Sequence, residues 1–207
     1  MVESYERRLK EGFGAVLREA SEFFMGQGDV YHSLQRLADR LDRERIPYAL
    51  VGGLALARHG FVRMTQDVDI LLTREGLEAF KANFMGRGYV PAFPGAEKTF
   101  RDTETGVRIE VITTGEYPGD GLPKPVSFPA PDQVGEVRDG IRVINLETLI
   151  ELKLASGLTA PHRLRDLADV QDLIKMLQLP LDLAEQLDSS VRDKYVELWQ
   201  ASRSAES

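Results

Sequence analysis

VGGLALARHGFVRMTQDVDILL, residues 51–72, decides how this chain is read. Val51-Gly52-Gly53 closes a short apolar run that begins at Tyr48, and thirteen residues later Asp67-Val68-Asp69-Ile70 opens another. The expected elements are a strand over 48–51 stopped by the paired glycines, a short helix over 54–60, and a buried strand over 68–72. Residues i and i+2 of a strand face the same side, about 6.5–7 Å apart. Asp67 and Asp69 therefore present two carboxylates together at the edge of an apolar element. Like charges there repel and are costly to desolvate, and a divalent cation would relieve both costs. The competing reading is a strand end where both acids reach water or pair with Arg63.

A third acid interrupts the apolar run Val107-Arg108-Ile109-Glu110-Val111-Ile112, expected as the second strand of a hairpin over 98–103 and 107–112. Glu110 would join the aspartates if that strand lies beside the 68–72 strand, since neighbouring strands are about 4.8 Å apart. Three carboxylates could hold two cations about 3.5–4 Å apart, the spacing of in-line phosphoryl displacement. Alternatively Glu110 sits on a solvated face and pairs with Arg108. Two other acid pairs, Asp42-Arg43-Glu44 and Asp102-Thr103-Glu104, lie in polar surroundings and read as a solvated face or turn. Gly52 and Gly53 let the backbone approach a ligand closely, and the helix after them offers free N–H groups suited to phosphate. A bare Gly-Gly is also simply a turn.

Around this segment the pattern is helical. Helices are expected over 3–26, over 30–45 with Leu34, Leu37 and Leu41 on one stripe, and over 74–87 with Leu77, Phe80, Phe84 and Ala79 buried. Residues 113–133 hold five of the ten prolines and read as a long loop, of the kind that often forms a functional rim. A strand over 141–144 follows. Asn145 caps a helix over 146–156 that Gly157 ends, another helix covers 162–177, and one or two more finish the chain. On the 146–156 helix, Lys153 falls on the stripe of Leu146, Leu149 and Ile150, where it either snorkels outward or meets buried acids or phosphates. Asp166 and Asp169 stand on the polar side of the next helix, and Arg165 and Asp169 have the spacing of an i,i+4 pair. The order gives an α+β (α/β-like) fold, a small mixed sheet flanked by helices. Its expected parts are an N-terminal helical extension over 1–28, a core over 29–145 and a helical C-terminal part over 146–207.

Composition narrows the chemistry. With 207 residues, 43% of them apolar, the chain can bury a sizeable core. It has no cysteine, so disulfides and thiolate chemistry are excluded, and His32, His59 and His162 do not form a metal-ligand pattern. A metal would have to be held by carboxylates, which suits Mg²⁺ or Mn²⁺. The net charge of −7 does not support a large nucleic-acid footprint, though a local basic patch remains open. No apolar run approaches the length of a membrane span, and the charged start MVESYERRLKEGF lacks a signal-peptide core. The expected location is cytoplasmic, with no membrane partner.

Taken together, these residues resemble the nucleotidyltransferase superfamily related to DNA polymerase beta. Its signature is an apolar residue, Gly-Gly or Gly-Ser, about nine to thirteen residues, and Asp-apolar-Asp/Glu-apolar. Here it reads Val51-Gly52-Gly53, thirteen residues, Asp67-Val68-Asp69-Ile70. Arg63-Met64-Thr65-Gln66-Asp67 is similar to the Arg-x-Thr-x-Asp run of the abortive-infection (AbiEii-type) branch, and LKLASGLTAPHRLRDLADVQDLI resembles the lysine plus Arg-Asp helix of that group. The likeness covers about residues 46–177. It implies an NTP donor, two divalent cations (Mg²⁺ or Mn²⁺), and metal and catalytic roles for Asp67, Asp69 and Glu110. It also implies nucleotide contacts from Gly52, Gly53, Lys153, Arg165 and Asp166. Where the family often has serine, Gly53 leaves only backbone to meet phosphate. The acceptor is open among tRNA, a protein and a small molecule such as an antibiotic. A toxin with a cognate antitoxin and a non-catalytic nucleotide-binding scaffold are the further readings.

Overall fold

The computed structural model describes residues 20, 22, 23 and 27–204. Most of the helix expected over 3–26, and with it most of the 1–28 extension, lies outside the described residues. Helix α1 (Asp29–Arg43) buries Val30, Leu34, Leu37, Ala38 and Leu41, the one-sided spacing of an amphipathic helix. The chain reverses through Arg45, which takes a positive φ of 55°, and enters β1 (Tyr48–Leu50), all three residues of which are buried.

Helix α2 (Gly52–Arg58) starts at the glycine pair, two residues earlier than expected. Strand β2 (Asp67–Leu72) leads to α3 (Arg74–Phe84), whose first turn is capped by the Thr73 hydroxyl accepting from Gly76 N–H. That helix stops at Phe84, three residues short of the expectation, before Gly86 and Gly88, both of positive φ. Strands β3 (Tyr89–Pro91), β4 (Thr99–Asp102) and β5 (Arg108–Thr113) follow, then the proline-rich loop, the short α4 (Pro131–Val134), β6 (Gly135–Arg138) and β7 (Ile141–Ile144). Helices α5 (Leu146–Thr159), α6 (Leu164–Met176) and α7 (Ser189–Ser204) close the described chain, with short 3₁₀ turns at Pro161–Arg163 and Leu181–Gln186 between them.

The seven strands make one mixed sheet in the order β3-β4-β5-β2-β1-β7-β6. Strand β2 is central, antiparallel to β1 and parallel to β5. Its burial alternates at the start and is complete from Ile70 onward, so the acids stand at the one end of the strand that still reaches solvent. Helices α1 and α2 pack on β2 and β7, α3 packs on β2 and β5, and α5, α6 and α7 pack on one another. The α+β architecture with a small mixed sheet and flanking helices is as the sequence led us to expect. No helix among the described residues is long and apolar enough to cross a membrane.

Three departures have physical causes. Strands β3 and β6 were not expected. Pro91 disguises the first, and the second exposes Glu136, Val137 and Arg138 at the sheet edge, where no apolar alternation is needed. The signal for β6 was the dipeptide Asp139-Gly140, whose φ values of 49° and 76° make the two-residue turn of a hairpin. Asp102 is not a solvated acid. It is 1% exposed, accepts from Glu104 N–H at 2.9 Å, and is salt-bridged to Arg36 of α1.

The third departure is Gly157, expected to end α5. The helix runs through it to Thr159, and a Cβ there would lie 2.5 Å from Leu167 Cγ on α6. The glycine is set by the close crossing of the two helices. Replacing Gly157 with Val should therefore cost about 1–3 kcal/mol, the usual penalty for overpacking, despite the poor helix propensity of glycine. Chemical denaturation of the variant and the parent would measure it, and an unchanged midpoint would contradict the tight crossing.

Candidate active site

Strands β2 and β5 lie side by side in parallel register, with Asp67 opposite Arg108 and Asp69 opposite Glu110. Opposite residues of a parallel pair share a face, and so do i and i+2. Four ionisable side chains thus form a two-by-two grid. Carboxylate oxygens of Asp67, Asp69 and Glu110 all lie within 4.8 Å of one another. The expected company of Glu110 with the aspartates and its expected pairing with Arg108 both occur, because the Arg108 guanidinium is hydrogen-bonded to Glu110 in the same cluster.

Each neighbour of the grid is shaped to it. Gly52 has φ +66°, and a Cβ there would stand 2.0 Å from Asp69 Oδ2. Any side chain at position 52 would occupy the place of the Asp69 carboxylate, so the first glycine is required by the acid it faces. At Gly53 a Cβ would stand 3.0 Å from Thr65 Cβ. The Thr65 hydroxyl in turn donates to Asp67 Oδ1 at 2.7 Å and fixes that carboxylate. Thr65 was visible in the Arg63–Asp67 run, but no role followed from sequence alone.

Behind the grid is a buried ionic network. Lys153, 6% exposed, donates to Asp169 Oδ2 at 2.6 Å and to Asp166 Oδ1 at 2.9 Å. Ser156 Oγ donates to the other oxygen of Asp166 at 2.6 Å. Arg63 grips Asp169 in a fork, Nε to Oδ1 at 2.7 Å and Nη2 to Oδ2 at 2.9 Å. Lys153 therefore does not snorkel. The acids it meets belong to α6, and its charge also acts on Asp69. Two alternatives are corrected. Arg63 pairs with Asp169 and not with the catalytic candidates, and Asp169 is 2% exposed and does not pair with Arg165. Arg165 is exposed at the cleft mouth. The sequence signal for the Asp169 network was an aspartate three residues after Asp166, on the face toward α5.

These groups line a cleft of about 1190 Å³. The proline-rich loop forms its far wall, from Gly115 to Gly121. Gly115 N–H donates to Phe128 O and Phe128 N–H to Glu116 O, each at 2.8 Å, and Lys124 Nζ ties the loop to Thr159 Oγ1 at 3.1 Å. The loop is a rim of the cleft, as its composition led us to expect.

The chain matches no family model and no curated protein. Its structure is similar to that of an antigenic nucleotidyltransferase-like protein from Paracoccidioides brasiliensis. The TM-score is 0.50 at 18% identity, over 72% of this chain and 76% of that one. A candidate nucleotidyltransferase from Thermotoga maritima aligns at TM-score 0.44 and 20% identity, over 71% and 91% of the two chains. ANT(2″)-Ia in complex with adenylyl-2″-tobramycin aligns at 0.45 and 15%, over 81% and 92%. What is shared at such identities is fold alone, a mixed sheet flanked by helices.

Burial in the cleft wall, then the charges of Asp67 and Glu110, push the Asp69 carboxyl up from 3.8 to about 8, against the pull of Lys153 and Arg108. Burial also raises Asp166, but Lys153 and Ser156 outweigh it and hold that carboxyl low. A carboxyl raised in the folded state contributes stability that is complete below its unfolded value and lost as pH rises through the folded one. For Asp69 that window runs from about pH 4 to about pH 8. Asp69→Asn should remove this loss and stabilise the metal-free protein at pH 8 by at least about 1 kcal/mol, with little effect at pH 4. Melting curves in chelator at the two pH values check it. An Asn variant less stable than the parent at pH 8 would contradict the repulsion.

Proposed function

We propose that this protein is a nucleotidyltransferase that moves a nucleoside monophosphate from an NTP to an acceptor hydroxyl. The observation that carries the proposal is the register of β2 and β5, which brings Asp67, Asp69 and Glu110 within 4.8 Å beside a glycine pair that makes room for the Asp69 carboxylate.

The donor set fits a hard divalent cation, Mg²⁺ or Mn²⁺, being three carboxylates with no sulfur or imidazole among them. A bound divalent cation supplies Lewis-acid stabilisation of the transferring phosphoryl group and acidifies a coordinated hydroxyl. The chain's own residues do the rest. Asp67 and Asp69 would hold the cation, with the Thr65 hydroxyl fixing the Asp67 carboxylate. Glu110 would complete the set and act as the base that takes the acceptor's proton. Gly52 and Gly53 make room for the Asp69 carboxylate and for Thr65, and their backbone would meet the phosphates. Lys153, Asp166 and Ser156 set the electrostatics of the cleft floor, and exposed Arg165 at its mouth meets the outer phosphates. The cleft of about 1190 Å³ exceeds the roughly 300–1,000 Å³ of an ordinary small-molecule site, so a nucleotide leaves room for part of an acceptor.

The Arg63-Met64-Thr65-Gln66-Asp67 run, with Arg63 and Thr65 both engaged, supports the abortive-infection branch, and with it a toxin restrained by a cognate antitoxin. That branch includes toxins that modify tRNA ends, so a tRNA end is the first acceptor to test. A protein or small-molecule hydroxyl is the alternative outcome of the same test.

The test is incubation with each α-³²P-labelled NTP, Mg²⁺, tRNA and cell lysate, followed by separation of the labelled product. One NTP should label one acceptor fraction. Asp67→Asn and Asp69→Asn should each lower transfer at least about a thousandfold, the equivalent of about 4 kcal/mol, with the fold retained. Near-normal transfer by either variant would sink the assignment.

A further inference from the structure

Arg108 is the one cation within the acid grid. It stands directly opposite Asp67 and two residues from Glu110, all on one face of the sheet. One guanidinium nitrogen, Nη2, is bonded to Glu110 Oε2. Its Nε–H is buried and makes no hydrogen bond among the described residues. An orphaned buried donor is costly, and this one belongs to a side chain lining the cleft. The guanidinium thus has one arm committed to Glu110 and one donor without an acceptor.

Charge sharpens the point. Asp67, Asp69 and Glu110 together carry −3 when ionised, and Arg108 reduces the grid to −2. The guanidinium and a divalent cation compete for Glu110, since an oxygen bonded to Arg108 has less to offer a metal. A triphosphate changes the balance. It brings several negative charges and charged acceptor oxygens, for which a guanidinium fork is well matched.

We propose that Arg108 is the resident counter-ion of the acid cluster, a positioning residue that holds Glu110 back from a divalent cation until a triphosphate draws the guanidinium away. The inference rests on the transferase reading above. Arg108 turns from Glu110 to the triphosphate, and its orphaned Nε–H gains an acceptor there. Glu110 is then free to complete the cation site. Metal and nucleotide therefore favour each other's binding, and the protein does not hold a tightly bound cation in the absence of nucleotide.

The experiment is a titration of the purified protein with Mn²⁺, free ion being read by electron paramagnetic resonance. It is repeated in the presence of each of four non-hydrolysable NTP analogues. Parent, Arg108→Gln, Arg108→Met, Arg108→Lys and Asp67→Asn are compared. Without nucleotide, the two neutral variants should bind Mn²⁺ at least about tenfold more tightly than the parent, given the strength of charge–charge coupling at such distances. The Met variant keeps the packed stem and answers the question should the Gln variant not fold. Arg108→Lys, which restores the charge, should return to within about threefold of the parent. With the matching analogue, the advantage of the neutral variants should disappear, and they should bind that analogue more weakly than the parent. If the neutral variants bind Mn²⁺ no better than the parent while Asp67→Asn still loses it, the role of Arg108 is overturned and the transferase reading stands. If neither parent nor neutral variants bind Mn²⁺ under any condition, both are overturned.

Discussion

Three carboxylates held within 4.8 Å on adjacent strands are the constraint on which the rest of this structure depends. Their mutual repulsion and their removal from water oppose folding. The cost is visible in Asp69, whose carboxyl is pushed up to about 8. A cluster of this kind is tolerated only if the surrounding framework fixes it, and here the framework is the parallel pairing of β2 and β5. All six residues of β5 and all six of β2 are locked in a ladder whose other face is buried apolar side chains. A slip of one residue would turn the acids into that core and expose Val68 and Ile109. The hydrophobic face therefore sets the register, and the register sets the acids.

The neighbouring residues are explained by the same constraint. Gly52 gives up its side chain because Asp69 occupies the space. Gly53 lets Thr65 come close enough to bond Asp67. Arg108 supplies the counter-charge on Glu110. Farther back, the fork of Arg63 on Asp169 and the bonds of Lys153 to Asp166 and Asp169 join the segment before β2 to helices α5 and α6. A buried ionic network of this type is a weak source of stability, since desolvation offsets much of the attraction. What it provides is position, because the helical part cannot shift without unpairing a buried charge.

Much of this was legible in the sequence, and the illegible part has a common cause. Alternation in VDILL and RIEVIT, the strand-ending glycines, the stripe of α1 and the proline-rich rim follow from local chemistry. Asp67, Asp69 and Glu110 could be named, and their meeting depended only on whether two strands were neighbours. What could not be read was anything created by tertiary approach. The function of Gly157 lies on another helix, at Leu167. That of Gly52 lies in a carboxylate seventeen residues away, and the burial of Asp102 depends on Arg36 of α1. Asp169 looked like one more polar position on a helix, until α5 and Arg63 closed over it. The hairpin of β6 and β7 is different, since Asp139-Gly140 was a local signal that went unused.

The central claim is that this acid grid is a divalent-cation site. Anomalous diffraction at the manganese edge, from crystals soaked in Mn²⁺ with a non-hydrolysable NTP, tests it most directly. The account predicts a peak about 2.1 Å from carboxylate oxygens of Asp67 and Asp69, with Glu110 turned from Arg108 toward it. A well-ordered nucleotide in the cleft with no anomalous density at these three residues would contradict it.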